Sequence, residues 1–223
     1  MKQLIKQVFL PKGRKLRQLK GGLAKGMWIE LDLLTQFQRY WGIYERELIT
    51  PFKRLIPYCK SLVDVGANDG YYTMAFLQSG AERVVACEPS TIRERLLTNA
   101  QANGYQPSER FIVEHRFIGQ GEEWLAIAEL IQSLPRPILL KVDIEGSEIN
   151  LLQSVEAYPF LSELYWVIET HSQDLEKQCI KWLISHSYHT KIIYNAPWRV
   201  LLPEQRSIHH NRWLIAEPFR SQF

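Results

Sequence analysis

Cysteine is scarce in this chain: three in 223 residues, at positions 59, 87 and 179, odd in number and never in Cys-x-x-Cys spacing. That argues against a disulfide framework or a cysteine zinc site and predicts buried thiols in a reducing compartment. Long apolar runs are also missing, and none approaches the roughly 18 to 20 residues that span a bilayer. The N-terminus lacks the apolar stretch and small-residue cleavage site of a secretory leader, so a cytoplasmic location is expected. There is no internal repeat and no low-complexity segment. What remains, 46% hydrophobic and 23% charged, suits one globular domain with a sizeable core.

Acids are absent from residues 1–25, which hold Lys2, Lys6, Lys12, Arg14, Lys15, Arg17, Lys20 and Lys25. The rest of the chain carries 19 basic residues against 24 acidic ones. Residues 1–26 are therefore read as a basic N-terminal arm and 27–223 as the main domain. Such an arm suits an anionic membrane surface or an acidic partner, or is simply solvated. Leu4, Ile5, Val8 and Phe9 have roughly helical spacing, which favours peripheral membrane contact among these. A nucleic-acid enzyme would spread basic residues over its body, so no nucleic acid is expected.

Residues 27–57 mix aromatics and charges and predict a short strand and a helix. Beyond them strands and helices alternate. Strands are expected at 61–65, 83–88, 110–118, 138–145 and 164–170. Helices are expected near 70–79, after a Thr91/Glu94 capping box, at 122–133, 147–157 and 173–186. Segments 190–195 and 211–217 have no helix between them and read as an antiparallel pair at the sheet edge. The expected fold class is α/β, a doubly wound sheet with one reversed strand.

The first strand ends in "VDVGANDGYYTMAF". A dinucleotide turn needs G-x-G-x-x-G, because its backbone must closely approach a pyrophosphate. Here the middle glycine is missing, and no Gly-Lys-Ser/Thr marks a P-loop. Asp64 and Asp69 would repel a phosphate and attract an ammonium group. Glu88 ends the second strand, where an acid commonly accepts hydrogen bonds from ribose hydroxyls. A ligand with a ribose and a cationic amino-acid end fits, and S-adenosylmethionine is such a ligand.

Together "VDVGANDGYYTMAF", "VVACEPS", "LLKVDIEGSEINLL" and "VIETH" resemble the FkbM family of S-adenosylmethionine-dependent methyltransferases. The resemblance runs from about Gly42 to Ala216. It implies a Rossmann-like class I methyltransferase fold, a seven-stranded sheet with an antiparallel terminal strand. It also implies S-adenosylmethionine as cofactor and O-methylation of a natural product or sugar. Carried over by position, Asp64, Gly66, Asn68 and Gly70 would line the methionine end, and Glu88 the ribose.

A second constellation ends the fourth and fifth strands. On a strand, residues two apart share a face, so Asp143 would pair with Glu145 and Glu169 with His171. Three readings follow. In an acid–base site, His171 or Asp143 would take the proton of a hydroxyl. In a magnesium or manganese site, Asp143, Glu169 and His171 would be ligands. In a structural reading, Glu145 and Glu148 cap a helix and His171 closes a strand. Asp143 stands out because a continuously apolar strand turns charged there. Tyr71, Tyr72, Trp198 and the 195–210 loop are candidate contacts for the acceptor, a small molecule or glycan. A nucleotide-cofactor oxidoreductase and a non-catalytic methyltransferase-like binding module are the alternatives.

Overall fold

The computed structural model describes residues 13–118, 124–200 and 210–219. It opens with an antiparallel hairpin, β1 (Lys15–Gln18) against β2 (Trp28–Leu31). The described part of the basic arm is thus folded onto the domain, with Leu19 and Ala24 buried in the main core. The helically spaced Leu4 to Phe9 lie outside the described residues. Helix α1 (Leu33–Trp41) follows, capped by the Asp32 side chain, which accepts a hydrogen bond from Leu34 N. A short helix α2 (Ile49–Leu55) leads to the main sheet. Among the described residues no helix is long and apolar enough to cross a membrane.

The sheet is built in alternating units. In order come β3 (Ser61–Val65), α3 (Tyr71–Gln78), β4 (Arg83–Cys87), α4 (Arg93–Ala102) and β5 (Phe111–Glu114). A two-residue bridge follows, β6 (Phe117–Ile118) with β7 (Trp124–Leu125), then α5 (Ile127–Gln132). The second half runs β8 (Ile138–Val142), α6 (Glu148–Ser154), β9 (Leu164–Thr170), α7 (Gln173–Ser185), β10 (Tyr188–Ile193) and β11 (Arg212–Pro218). Seven strands pair in the order β10-β11-β9-β8-β3-β4-β5. All neighbours are parallel except β11, which is antiparallel to both β9 and β10. The doubly wound seven-stranded sheet with one reversed strand is therefore present, and that strand is inserted between its neighbours.

Strands β3, β8 and β9 are buried along their whole length because helices cover both faces. Leu62, Ala86, Leu139 and Val167 face a core shared with the hairpin and α3. Val63, Val85, Leu140 and Ile168 face the core under α5, α6 and α7. Asp64 and Lys141 interrupt this apolar interior. The β3–β8 register sets them directly opposite one another.

Four local expectations differ from the structure. The helix expected at 122–133 begins only at Ile127, after Trp124–Leu125 has paired as β7. Strand β8 ends at Val142, so Asp143 and Glu145 are not on one strand face; Glu145 sits in the following turn at φ +40°. The turn comes early because Asp143 N donates to Val65 O, closing the ladder at β3's last residue. The Thr91/Glu94 capping box does not form: α4 starts at Arg93 without a side-chain cap, after Glu88 has engaged Ser90. Strand β5 stops at Glu114 rather than continuing to 118, since that carboxylate turns back onto the backbone of His115 and Arg116.

Gly66 shows why this turn needs glycine. Its φ is +79°, and a Cβ there would stand 1.9 Å from the Asp143 carbonyl oxygen. The constraint is close packing of two strand ends as well as backbone handedness. Gly66→Ala should therefore lower unfolding stability by about 2 kcal/mol or more. Urea denaturation followed by circular dichroism measures this; an unchanged midpoint would show that the two strand ends separate freely.

Candidate active site at the carboxyl edge of the sheet

The turn from β3 to α3 is held by β4. Gly66 N and Ala67 N both donate to Cys87 O at 3.0 Å. Asn68, at φ +51°, donates its backbone N–H to Glu88 Oε2 at 2.8 Å. The other oxygen of Glu88 accepts from Ser90 N at 2.9 Å and Ser90 Oγ at 2.6 Å. Glu88 is 7% exposed. A carboxylate has about four acceptor positions, so these three bonds leave room for one more donor. Glu88 is thus placed to take a single hydroxyl, or two if Ser90 releases its own.

The two acids in this turn do not act as the sequence suggests. Both oxygens of Asp69 accept from Arg39 Nη1 at 2.7 Å, and Arg39 lies over the Tyr44 ring at 4.5 Å. Asp64 is 0% exposed; it accepts from Thr73 Oγ1 at 2.7 Å and faces Lys141 Nζ at 3.7 Å. Both acids already have a cation, so neither is a free attractor for an ammonium group. Asp64 lies behind the turn and is not on the cavity wall.

Lys141 connects this turn to the second constellation. Its Nζ is 3.3 Å from Asp143 Oδ2 and 5.1 Å above the Tyr72 ring. Burial works against its charge, but Asp143 and Asp64 outweigh that and hold its pKa above the ordinary lysine range. Burial alone would raise Asp143; Lys141 and His171 instead hold it well below the usual carboxylate range. His171 stands between two acids, with Nε2 3.4 Å from Asp143 Oδ1 and Nδ1 2.6 Å from Glu148 Oε1. Burial opposes its charge too, yet Asp143 and Glu148 push its pKa up to about 10. Without another ligand the imidazole is a cation at neutral pH.

These groups meet in a cavity of about 250 Å³ at the carboxyl ends of β3, β8 and β9. Its wall includes Gly66, Asn68, Asp143, Glu145, Glu169 and His171 from the sequence reading. Glu145 is exposed and at the rim. Glu88 and Gly70 adjoin this wall through the same turn: Glu88 by its bond to Asn68, and Gly70 as the residue that enters α3. Donor atoms of Asp143, Glu169 and His171 lie within 4.8 Å of one another. Arg39, Lys141 and His171 are the cations here, against the carboxylates of Glu45, Asp64, Asp69, Asp143, Glu145, Glu148 and Glu169. The surplus is negative, so a cationic ligand is favoured by the whole site rather than by Asp64 and Asp69. A larger depression of about 530 Å³, around Lys60, Gln78 and Glu82 at the opposite strand ends, contains none of these groups.

Sequence reasoning passed over Arg39, Glu45, Lys141 and Asn211, and assigned Glu148 to the helix. Lys141 had a signal: one lysine within "ILLKV", an otherwise apolar strand, needs a buried partner. Glu148 does serve the helix start, its Oε1 accepting from Gly146 N at 3.1 Å, but it is 0% exposed and the same oxygen also meets His171. Arg39, Glu45 and Asn211 reach the site only through tertiary folding. Tyr72 lines the cavity but spends its hydroxyl on Glu45. Residues 201–209 of the candidate acceptor loop lie outside the described residues.

No family model matches the chain, and no curated protein matches it. Solved structures do. Ribosomal protein L11 methylase from Lactobacillus delbrueckii subsp. bulgaricus is 12% identical, with a TM-score of 0.53 over 78% of this chain and 78% of that one. The methyltransferase FkbM from Methylobacillus flagellatus KT is 21% identical, with a TM-score of 0.53 over 70% of this chain and 43% of that one. With the strand order above, these likenesses identify the fold as Rossmann-like, of the class I methyltransferase type.

The His171 geometry has a measurable consequence. Its folded pKa lies above the ordinary 6.5. Its ion pairs therefore stabilise the fold fully below about pH 6.5, and that contribution is lost as pH rises through about 10. In the presence of a chelator, ring NMR signals of His171 should titrate near pH 10, and Glu148→Gln should move the midpoint toward 6.5. A wild-type midpoint already at 6.5 would contradict the two-carboxylate arrangement.

Proposed function

We propose that the chain is an S-adenosylmethionine-dependent methyltransferase acting on a hydroxyl oxygen of a small metabolite or glycan. The observation that carries this reading is the placement of Glu88 and the Asp143–His171 pair at either side of one glycine turn, on a sheet of this type. The donor set fits the cofactor. Glu88 retains an acceptor position for a ribose hydroxyl. The Gly66–Asn68 turn has its N–H groups already bonded and so would meet an ammonium group with carbonyl oxygens. The negative surplus suits a cationic methionine end. Bound there, S-adenosylmethionine would supply an electrophilic methyl group on a sulfonium sulfur.

The protein's own task is orientation, since in-line displacement gains most from holding two reactants aligned. Asp143, kept ionised by Lys141 and His171, accepts the hydrogen bond of the acceptor hydroxyl. A carboxylate held so low is a weak base for a free hydroxyl. It becomes adequate as the carbon–oxygen bond forms, because the oxygen then turns strongly acidic and its proton passes to Asp143. Asp64 is a positioning residue here, acting through Lys141 and Thr73. The polar, charge-rich wall favours a hydroxylated acceptor over an apolar one.

Calorimetry with S-adenosylhomocysteine tests the reading. Wild-type protein should bind it with a Kd on the order of micromolar, and Glu88→Ala should weaken binding about tenfold or more, the scale of losing a charge-assisted hydrogen bond. Asp143→Asn should keep that affinity. No binding by folded wild-type protein would remove the reading. Binding by a protein with no turnover on any hydroxylated acceptor would favour a non-catalytic module.

A further inference from the structure

We propose that Asp143, Glu169, His171 and Asn211 form a binding site for a hard divalent cation of the manganese or magnesium class. The donors come from three places that the sheet fixes relative to one another: the turn after β8, the end of β9 and the residue entering β11. The 4.8 Å spread of the Asp143, Glu169 and His171 donor atoms is near what such an ion needs. At bond lengths of ~2.1 Å, octahedral ligands stand about 3.0 Å apart in cis positions and about 4.2 Å in trans.

Three independent features point to a ligand rather than to a chance cluster. Asn211 is 5% exposed and on the cavity wall, and its Oδ1 is buried with no hydrogen-bond partner among the described residues. Its Nδ2 donates to Glu169 Oε1, which fixes the amide so that the oxygen is left over. A buried neutral oxygen without a donor is costly, and a hard cation is a natural occupant.

The second feature is Glu148. It is 0% exposed, and its Oε1 lies 2.6 Å from His171 Nδ1. A carboxylate on one ring nitrogen, with the other turned to a cluster of acids, is how metal-binding imidazoles are commonly oriented. Third, the two oxygens of Asp143 are divided, Oδ2 toward Lys141 and Oδ1 toward His171. Lys141 can therefore keep its partner while Oδ1 binds an ion.

Two carboxylates, an amide oxygen and one imidazole, with no thiolate, suit manganese or magnesium rather than a soft metal. The imidazole favours manganese between them. The role of the ion rests on the methyltransferase reading; its binding does not. In that role it would hold the acceptor oxygen beside Asp143 and acidify its proton, which would pass to Asp143 Oδ2. The oxygen then forms the new bond to the methyl carbon as the carbon–sulfur bond breaks and the electron pair returns to sulfur.

The test uses the full chain freed of metal by chelation, titrated with Mn²⁺ and followed by the electron paramagnetic resonance signal of the free ion. One site per chain is expected, weakened at least about tenfold by Asn211→Ala, by Glu169→Gln and by Glu148→Gln. Circular dichroism checks that each variant is folded; if Glu169→Gln is not, Asn211→Ala and Glu148→Gln carry the comparison. No Mn²⁺ binding by wild type, or binding that folded variants leave unchanged, would overturn the proposal. S-adenosylhomocysteine affinity, measured separately, shows whether the cofactor reading stands or falls with it.

Discussion

The ion pair between Asp64 and Lys141 is the constraint on which the rest of this structure depends. Each residue lies in a strand buried on both faces, and parallel pairing sets them opposite one another. A buried charge is tolerated only when paired, and removing one partner typically costs several kcal/mol. A slip of either strand by one residue would part Asp64 from Lys141 and leave a buried carboxylate without its cation in apolar surroundings. The pair therefore selects the β3–β8 register, and that register puts Gly66 against the Asp143 carbonyl. The glycine turn and the first acid of the second constellation are adjacent as a result.

The charged groups of the site built on this register pair largely with one another. Arg39 takes Asp69, Lys141 takes Asp64 and shares Asp143, and Glu148 takes His171. Such a network holds its members in fixed positions, which is what an alignment-driven reaction requires. Some buried polar atoms are nonetheless left over. One acceptor position on Glu88 and the amide oxygen of Asn211 are among those that remain, and they lie toward the two halves of the proposed chemistry. The reversed strand β11 matters here. By entering the sheet between β9 and β10 it brings Asn211 beside Glu169, which a plain parallel sheet would not do.

The sheet was largely legible in the sequence because its signals are local. Apolar runs of about five residues ended by Asp, Glu or Gly mark strands, and the lack of a helical pattern between 190–195 and 211–217 marked the reversed pair. The carboxyl-edge candidates were legible for the same reason, since they sit where apolar runs turn charged. Partnership was not. That Asp69 belongs to Arg39 depends on α1 folding back over the turn, and no spacing in 33–48 encodes it. The end of β8 was misplaced because Ile144 continues the apolar pattern, whereas the chain turns as Asp143 completes the ladder to Val65. The charge of His171 was not legible either, because it is set by Asp143 together with Glu148, a residue 23 positions away in sequence.

The most direct measurement is a crystal structure of the chain grown with S-adenosylhomocysteine. This account predicts ligand density across the glycine turn, with a ribose hydroxyl on Glu88, the amino-acid end along Gly66 to Asn68, and the sulfur directed toward Asp143 and His171. Density elsewhere, or a ligand on this sheet edge that leaves Glu88 bonded only to Asn68 and Ser90, would contradict it.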